Sequence, residues 1–307
     1  MNYGYGKPSI FSVNVLYLVL ALLLIFVGFM VQSQRLYTGI LVTEYALILI
    51  PNIIFIKMKG LSLKRVLRLN GFSIKQLLYT VLIVLFSYPI AVFFNMIVLN
   101  VINLFTDFLP TTVPIPMTSG EFWISFLIVA VTPGICEEVM FRGTMLSAYE
   151  SIGYKKGVII TGLLFGIFHF NIANLVGPAF LGIVLGFVAI KSNSIYLPII
   201  GHTLNNTIAL VIGYFTTRYT EQLDNIDSTL DNEVISETMA VMISTIVIGL
   251  IALLCGLVIY RLIKNFPTNY RISGMYGATN RSSLSYIPVA IVIVIFLALT
   301  WFTLSYV

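Results

Sequence analysis

Nine stretches of the chain are apolar for about as long as a helix needs to cross a bilayer, roughly 20 residues for some 30 Å of hydrocarbon. They lie near 11–31, 39–57, 76–105, 122–149, 157–172, 175–191, 195–215, 238–262 and 285–306. Backbone N–H and C=O groups in lipid must be satisfied internally, and a helix does so within one segment. The pattern therefore predicts an all-α, polytopic transmembrane helix bundle of about 8–9 spans. The fifth and sixth stretches are short enough to tilt or re-enter.

Composition supports lipid as the main solvent: 59% of the 307 residues are hydrophobic and only 9% charged, with a mean hydropathy of +1.00. A soluble domain of this size needs far more charge. The first stretch follows Lys7, yet no small-x-small cleavage site follows it at Val31-Gln32-Ser33-Gln34, so it reads as a retained span. Cys136 and Cys255 sit in separate apolar stretches and read as small buried hydrophobes, not as a disulfide framework.

The net charge of +5 would suit a nucleic-acid binder, but its distribution points to membrane topology. If the loop after the second stretch is cytoplasmic, alternation places Lys7, the six basic residues from Lys57 to Lys75, Lys155, Lys156, Lys191, Arg261, Lys264, Arg271 and Arg281 on that side, 14 of 17 in all. Arg35 and Arg218 fall outside with Asp107, Glu121 and the acidic stretch from Glu221 to Glu237. The amino terminus is then cytoplasmic, and no nucleic-acid partner is implied.

Within the basic loop, Leu61 to Leu69 alternates apolar and basic residues. It suits either an amphipathic segment on an anionic leaflet or an ordinary cytoplasmic loop. Leu109 to Pro116 holds three prolines in seven residues and breaks the helical pattern outside the membrane. The chain divides on these grounds into amino-terminal helices (1–120), a core (121–215) and an external acidic loop with carboxyl-terminal helices (216–307). No internal repeat is present.

Glu137, Glu138 and Arg142 share one apolar stretch. An ionisable residue at bilayer depth costs about 2.5 to 3.5 kcal/mol on insertion scales, so the three must face protein or water. Glu138 and Arg142, four apart, share a helix face and can pair; Glu137 points about 100° away. That leaves one carboxyl free to exchange a proton, as a general base must. The chain has two histidines, His169 and His202, and both fall within apolar stretches. Counted at 1.5 Å per residue, Glu137 and His169 lie roughly 18 Å deep, with His202 and Asn206 roughly 10 to 17 Å. His202 and Asn206, again four apart, can face one cavity and donate to one oxygen.

The segments Glu137-Glu138-Val139-Met140-Phe141-Arg142-Gly143, Phe165-Gly166-Ile167-Phe168-His169 and His202-Thr203-Leu204-Asn205-Asn206, in that order, resemble the three motifs of the CAAX protease and bacteriocin-processing family of intramembrane glutamate endopeptidases, type II CAAX prenyl endopeptidase-like. Phe180 to Gly186 and Asn193 to Gly201 also resemble it, and the likeness covers about residues 121 to 215. It implies that Glu137 and His169 activate a water, that His202 with Asn206 stabilises the oxyanion, and that Glu138 and Arg142 orient the site. It further implies a membrane-associated or hydrophobic peptide or protein substrate, prenylated or not, with no cofactor and no metal.

Other readings of the same residues remain open at this level. Two histidines and two glutamates can bind zinc, although the H-E-x-x-H helix is missing. Cys136 offers a thiol beside Glu137. Buried carboxylates and histidines also build proton relays in transporters, and a non-catalytic scaffold or immunity protein could keep them for binding. Gly162, Gly166, Gly182 and Gly186 have the spacing of closely packed helices. The expected setting is a bacterial or archaeal plasma membrane, with the site opening toward the cytoplasm; no oligomeric state follows.

Overall fold

The computed structural model describes residues 6–106, 115–224, 237–268 and 282–305. Nine long helices run through these residues: α1 (Ile10–Gln34), α2 (Leu36–Met58), α3 (Ile74–Ile102), α4 (Ser119–Ile152), α5 (Tyr154–Ile167), α6 (Val176–Ser192), α7 (Tyr196–Asp224), α8 (Glu237–Lys264) and α9 (Ser283–Ser305). Each expected apolar stretch carries one of them. Seven candidate spans are long and apolar enough to cross a membrane, making this an all-helical membrane bundle. The other two helices are α5, whose 14 residues extend only about 21 Å, and α7, which carries the polar His202, Asn205 and Asn206. Beyond residue 215, α7 continues to Asp224, so the acidic stretch begins as helix. Residues 107–114 and 225–236 lie outside the described residues, and with them most of the expected proline loop and acidic loop.

Local sequence sets the helix starts. Ser73 accepts from the amide of Gln76, whose side chain accepts from the Ser73 amide, a reciprocal capping box. Thr118 caps α4 by accepting from the Glu121 amide. Between α6 and α7, Asn193 takes the left-handed conformation (φ 52°) that ends a helix, as asparagine tolerates better than most residues.

Burial orders the bundle from centre to edge. Half of the apolar window in α4 is buried and 56% of that ending in α6, against 11% in α8; the last faces lipid. On one flank α1 locks to the centre through a buried polar chain. Tyr17 donates its hydroxyl to the Leu164 carbonyl at 2.8 Å, Tyr149 donates to Asn14 at 2.8 Å, and Asn14 donates to the Ser285 carbonyl at 2.8 Å. These bonds tie α1, α4, α5 and the start of α9 together without exposing a polar atom to hydrocarbon.

The four glycines expected at a close helix crossing all lie between α5 and α6. A Cβ on Gly162 would sit 2.7 Å from the Ile183 amide nitrogen, and one on Gly182 2.9 Å from the Gly162 Cα. The backbones touch there, and any side chain would part them.

The loop before α3 folds onto the protein. Leu61, Val66 and Leu67 are buried against Ile56, Val139 and Ile195, while Lys64 and Arg65 are exposed. Its apolar residues thus face the core of the bundle and not the leaflet, because Leu67 fills the space above Gly143. Arg68, 6% exposed, anchors the loop: it donates to the Arg142 carbonyl at 3.2 Å and pairs with Glu150, which also pairs with Lys7. Its carbonyl accepts from the Ile195 amide at 3.1 Å.

Candidate active site

Glu137 and Glu138 occupy the middle of α4, just before a segment, Val139–Met145, in which the helix winds wider than an α-helix. Such wide turns recur at functional sites. Arg142 donates to Glu138 Oε1 at 2.7 Å, and both side chains are buried, at 2% and 0% exposure. The other amino group of Arg142 donates to the Gly182 carbonyl at 3.2 Å, and its guanidinium lies 4.6 Å from the centroid of the Phe165 ring. The expected i, i+4 pair is therefore present, and it also ties α4 to α5 and α6.

His202 joins the same carboxylate. Its Nδ1 lies 2.9 Å from Glu138 Oε1. An oxygen that already accepts from Arg142 is an acceptor here too, so Nδ1 carries the hydrogen and Nε2 points onward. Nε2 is 3.8 Å from Glu137 Oε2. Glu138 thus orients His202, and His202 faces Glu137.

His169 is placed differently from expectation. Helix α5 ends at Ile167, and His169 follows in a turn before Phe170, whose backbone is left-handed (φ 47°). The His169 amide bonds Gly166 (3.3 Å), leaving the Phe165 carbonyl to take Nδ1 of the His169 ring at 2.9 Å. A carbonyl can only accept, so Nδ1 donates and Nε2 keeps its lone pair. The Phe165 ring packs edge-on against both imidazoles, with centroids 5.0 Å and 5.6 Å away. One aromatic ring thereby spaces His169, His202 and Arg142.

Asn206 donates to the Val129 carbonyl at 3.2 Å, and its own oxygen accepts from Asn205 at 3.2 Å. The amide is fixed in orientation from both sides and retains a second N–H. Asn205 therefore has a task the sequence left ambiguous.

These residues meet at a cavity of about 560 Å³ lined by Glu137, His169, His202, Asn205 and Asn206. Glu138 and Arg142 do not reach it; they stand behind. Glu137 Oε2 has no hydrogen-bond partner although it is buried, which is unusual for a buried polar atom. Cys136 is buried in a core cluster with Met140, Phe165 and Tyr17 and does not line the cavity. Both cysteines are free. Among the described residues, no three His, Cys, Asp or Glu side chains are grouped to hold a metal ion.

Two contributors were missed in the sequence. Glu44, on α2, is 7% exposed and its Oε2 has no partner. It lies in a wide-wound turn, Val42–Leu49, that packs along Thr132–Glu138, and it is in electrostatic contact with Glu137. The insertion penalty that flagged Glu137 applies equally to this lone carboxyl. Asn95, on α3, lines the cavity, accepts from the Gly177 amide at 2.9 Å and donates to Asn174 at 3.0 Å. Its signal was an amide in an apolar run.

A further feature holds the geometry together. A Cβ on Gly134 would meet Thr203 Oγ1 at 2.4 Å and the Thr203 amide nitrogen at 3.1 Å, so α4 and α7 touch one turn before Glu138 and one residue after His202. Gly134→Val is expected to push α7 outward, since overpacking costs about 1 to 3 kcal/mol and a displacement of about 1 Å at a reacting group can cost 10²-fold. Peptide cleavage and thermal unfolding of the variant in detergent check this; unchanged activity would show that the α4–α7 approach does not set the site.

Comparison with known proteins accords with the site's position in the chain. Residues 119–208 match the family of type II CAAX prenyl endopeptidase, Rce1-like. The Rce1-like match contains every motif residue described above, from Glu137 to Asn206. A Bacillus subtilis (strain 168) protein named "Putative membrane peptidase YdiL" is 26% identical over 101 residues, 32% of this chain and 41% of its own length. The chain thus spans about two fifths of the curated relative it matches. No solved structure matches it. Glu44 and Asn95 lie outside the Rce1-like match.

Proposed function

We propose that this chain is an intramembrane endopeptidase that hydrolyses a peptide bond of a membrane-associated or hydrophobic peptide, prenylated or not, using a water activated by Glu137. The observation that carries the reading is that Glu137 and His169 line one cavity together with His202 and Asn206.

In this reading Glu137, with one carboxyl oxygen free of protein partners, takes a proton from water as the water oxygen attacks the peptide carbonyl carbon. His169, held by the Phe165 carbonyl, presents the Nε2 lone pair to orient the same water. The carbonyl electron pair moves to oxygen, and the remaining N–H of Asn206 and Nε2 of His202 in its protonated form stabilise that oxyanion. Glu137 then returns its proton to the departing amine as the C–N bond breaks. Glu138 and Arg142 act through His202 and are positioning residues. The relative in Bacillus subtilis supports a bacterial or archaeal plasma membrane as the setting.

The test is cleavage of an internally quenched hydrophobic peptide by the chain in lipid nanodiscs. Cleavage is expected to persist in a metal chelator and in Cys136→Ser, whose side chain lies away from the cavity. Loss of activity in chelator would move the chemistry to a metal; loss in Cys136→Ser would move it to the thiol.

A further inference from the structure

Four of the five helices that line the cavity do so from their middle or from the end remote from the basic loops, and α7 lines it along its length from His202 to Gly213. Helix α3 starts beside Lys75 but lines the cavity from its second half, with Asn95. Helix α4 ends where Glu150 meets Lys7 and Arg68 but lines the cavity from its first half to its middle, from Val129 to Glu137. Helix α5 begins with Lys155 and Lys156 and lends Phe165 and, just past its end, His169. Helix α6 ends at Lys191 but lends its first residues, Gly177 among them. Helix α7 starts beside Ile195, which is bonded to Arg68, and lines the cavity from His202 onward to Gly213. Ile115, on the loop before α4, completes the wall and meets the space at Gly213.

His202 and Glu137 are thus the floor of the cavity. From His202 to Gly213 its wall rises roughly 16 Å, at 1.5 Å per residue, away from Lys57, Lys59, Lys64, Arg65, Arg68, Lys75, Lys155, Lys156, Lys191, Arg261 and Lys264. Basic loops mark the cytoplasmic side.

We propose that the cavity opens on the extracytoplasmic half of the membrane and receives from that face an apolar, uncharged segment of a membrane-associated peptide. This reverses the side expected from motif depth alone. Apart from Glu137, His169 and His202, the wall carries no acidic or basic side chain. It offers apolar residues such as Val92, Leu181 and Leu210 with the amides of Asn95, Asn174 and Asn205. A charged substrate side chain there would be desolvated without a counter-charge, whereas backbone groups of an extended peptide would meet amides. The peptide as substrate rests on the proteolytic reading; the side of the opening does not.

Single cysteines test it. Ala209→Cys and Gly213→Cys lie on the wall, where a Cβ at Gly213 would only touch Ile115 at 3.5 Å. Lys155→Cys marks the basic side, and the parent chain, whose two cysteines are buried, is the blank. A membrane-impermeant maleimide is expected to label positions 209 and 213 in intact bacterial cells and position 155 only in inverted vesicles. Labelling of 209 and 213 only in inverted vesicles, or from neither side, would overturn the proposal. In a second arm, an uncharged hydrophobic decapeptide added to intact cells is expected to slow labelling of Ala209→Cys at least threefold, in the Glu137→Gln background so that turnover plays no part. A lysine-substituted decapeptide should not. Equal effects of the two peptides would overturn the assigned substrate chemistry while leaving the side of the opening to the first arm, and neither outcome depends on proteolysis.

Discussion

Replacing Glu137 by glutamine is expected to lower turnover of a hydrophobic peptide by about 10²- to 10⁴-fold, the range of a lost general base, while the folded protein persists. Glutamine keeps the shape of the side chain but cannot take a proton from water. The stability cost should be small because Glu137 Oε2 has no hydrogen-bond partner to lose. His202 Nε2 lies 3.8 Å from it, beyond hydrogen-bond distance. Thermal unfolding in detergent should therefore shift by no more than a few degrees. His169→Ala should be about as inactive, and the double variant little worse than either, because groups acting on one water fail as a unit. Full activity of Glu137→Gln would end the glutamate mechanism. Losses that multiply in the double variant would separate His169 from the water that Glu137 activates.

Arg142→Met is expected to destabilise the fold more than Gly134→Val, Glu137→Gln or His169→Ala, by about 3 to 5 kcal/mol, because it strands a buried carboxylate. Glu138 is fully buried and accepts from both Arg142 and His202 through one oxygen. Without the guanidinium, hydrocarbon and aromatic neighbours such as Phe165 would surround a charge that only one imidazole addresses. Adding Glu138→Gln removes that charge, so the double variant should recover much of the loss; buried pairs are often replaceable by neutral groups of similar volume. The glutamine oxygen can still accept from His202 Nδ1, so the double variant should also regain more activity than Arg142→Met alone. Unfolding in denaturing detergent, followed by Trp123 and Trp301 fluorescence, reads the stability. A loss under about 1 kcal/mol for Arg142→Met would show that the pair is screened like a surface bridge, and a double variant no better than the single would place the cost in lost packing around Arg142.

Much of the candidate site's geometry follows from local sequence. Glu138 and Arg142 pair because they are four apart on a helix, which is a local property. The cost of burying charge singled out Glu137 for the same reason. That criterion would also have found Glu44, but a lone carboxyl on α2 has no neighbour in sequence to suggest a partner, and it comes near Glu137 only once α2 lies along α4. His169 was expected inside a span; the hydrophobic run does continue through Phe168 and Phe170, yet the chain turns there and Phe170 adopts φ 47°. Apolar content cannot distinguish a helix from a buried turn. The segment Leu61–Leu69 shows the same limit. Its pattern requires an apolar surface for Val66 and Leu67, and lipid or protein would serve; the space above Gly143 decided for protein.

What the sequence by itself determined is the set of helices, their caps and the pairing of residues three or four apart, because the helix repeats every 3.6 residues and lipid forces the backbone to close its own hydrogen bonds. Only the tertiary structure decided which ring nitrogen each histidine turns to the cavity, since that depends on the Phe165 carbonyl for one and on Glu138, 64 residues away in sequence, for the other. It alone showed that Phe165 spaces three polar groups and that Asn205 holds Asn206. And it alone showed that the cavity extends from His202 and Glu137 away from the basic loops, because helices that alternate in direction bring residues such as Asn95, Val129, Gly177 and Gly213 to one side of the bundle.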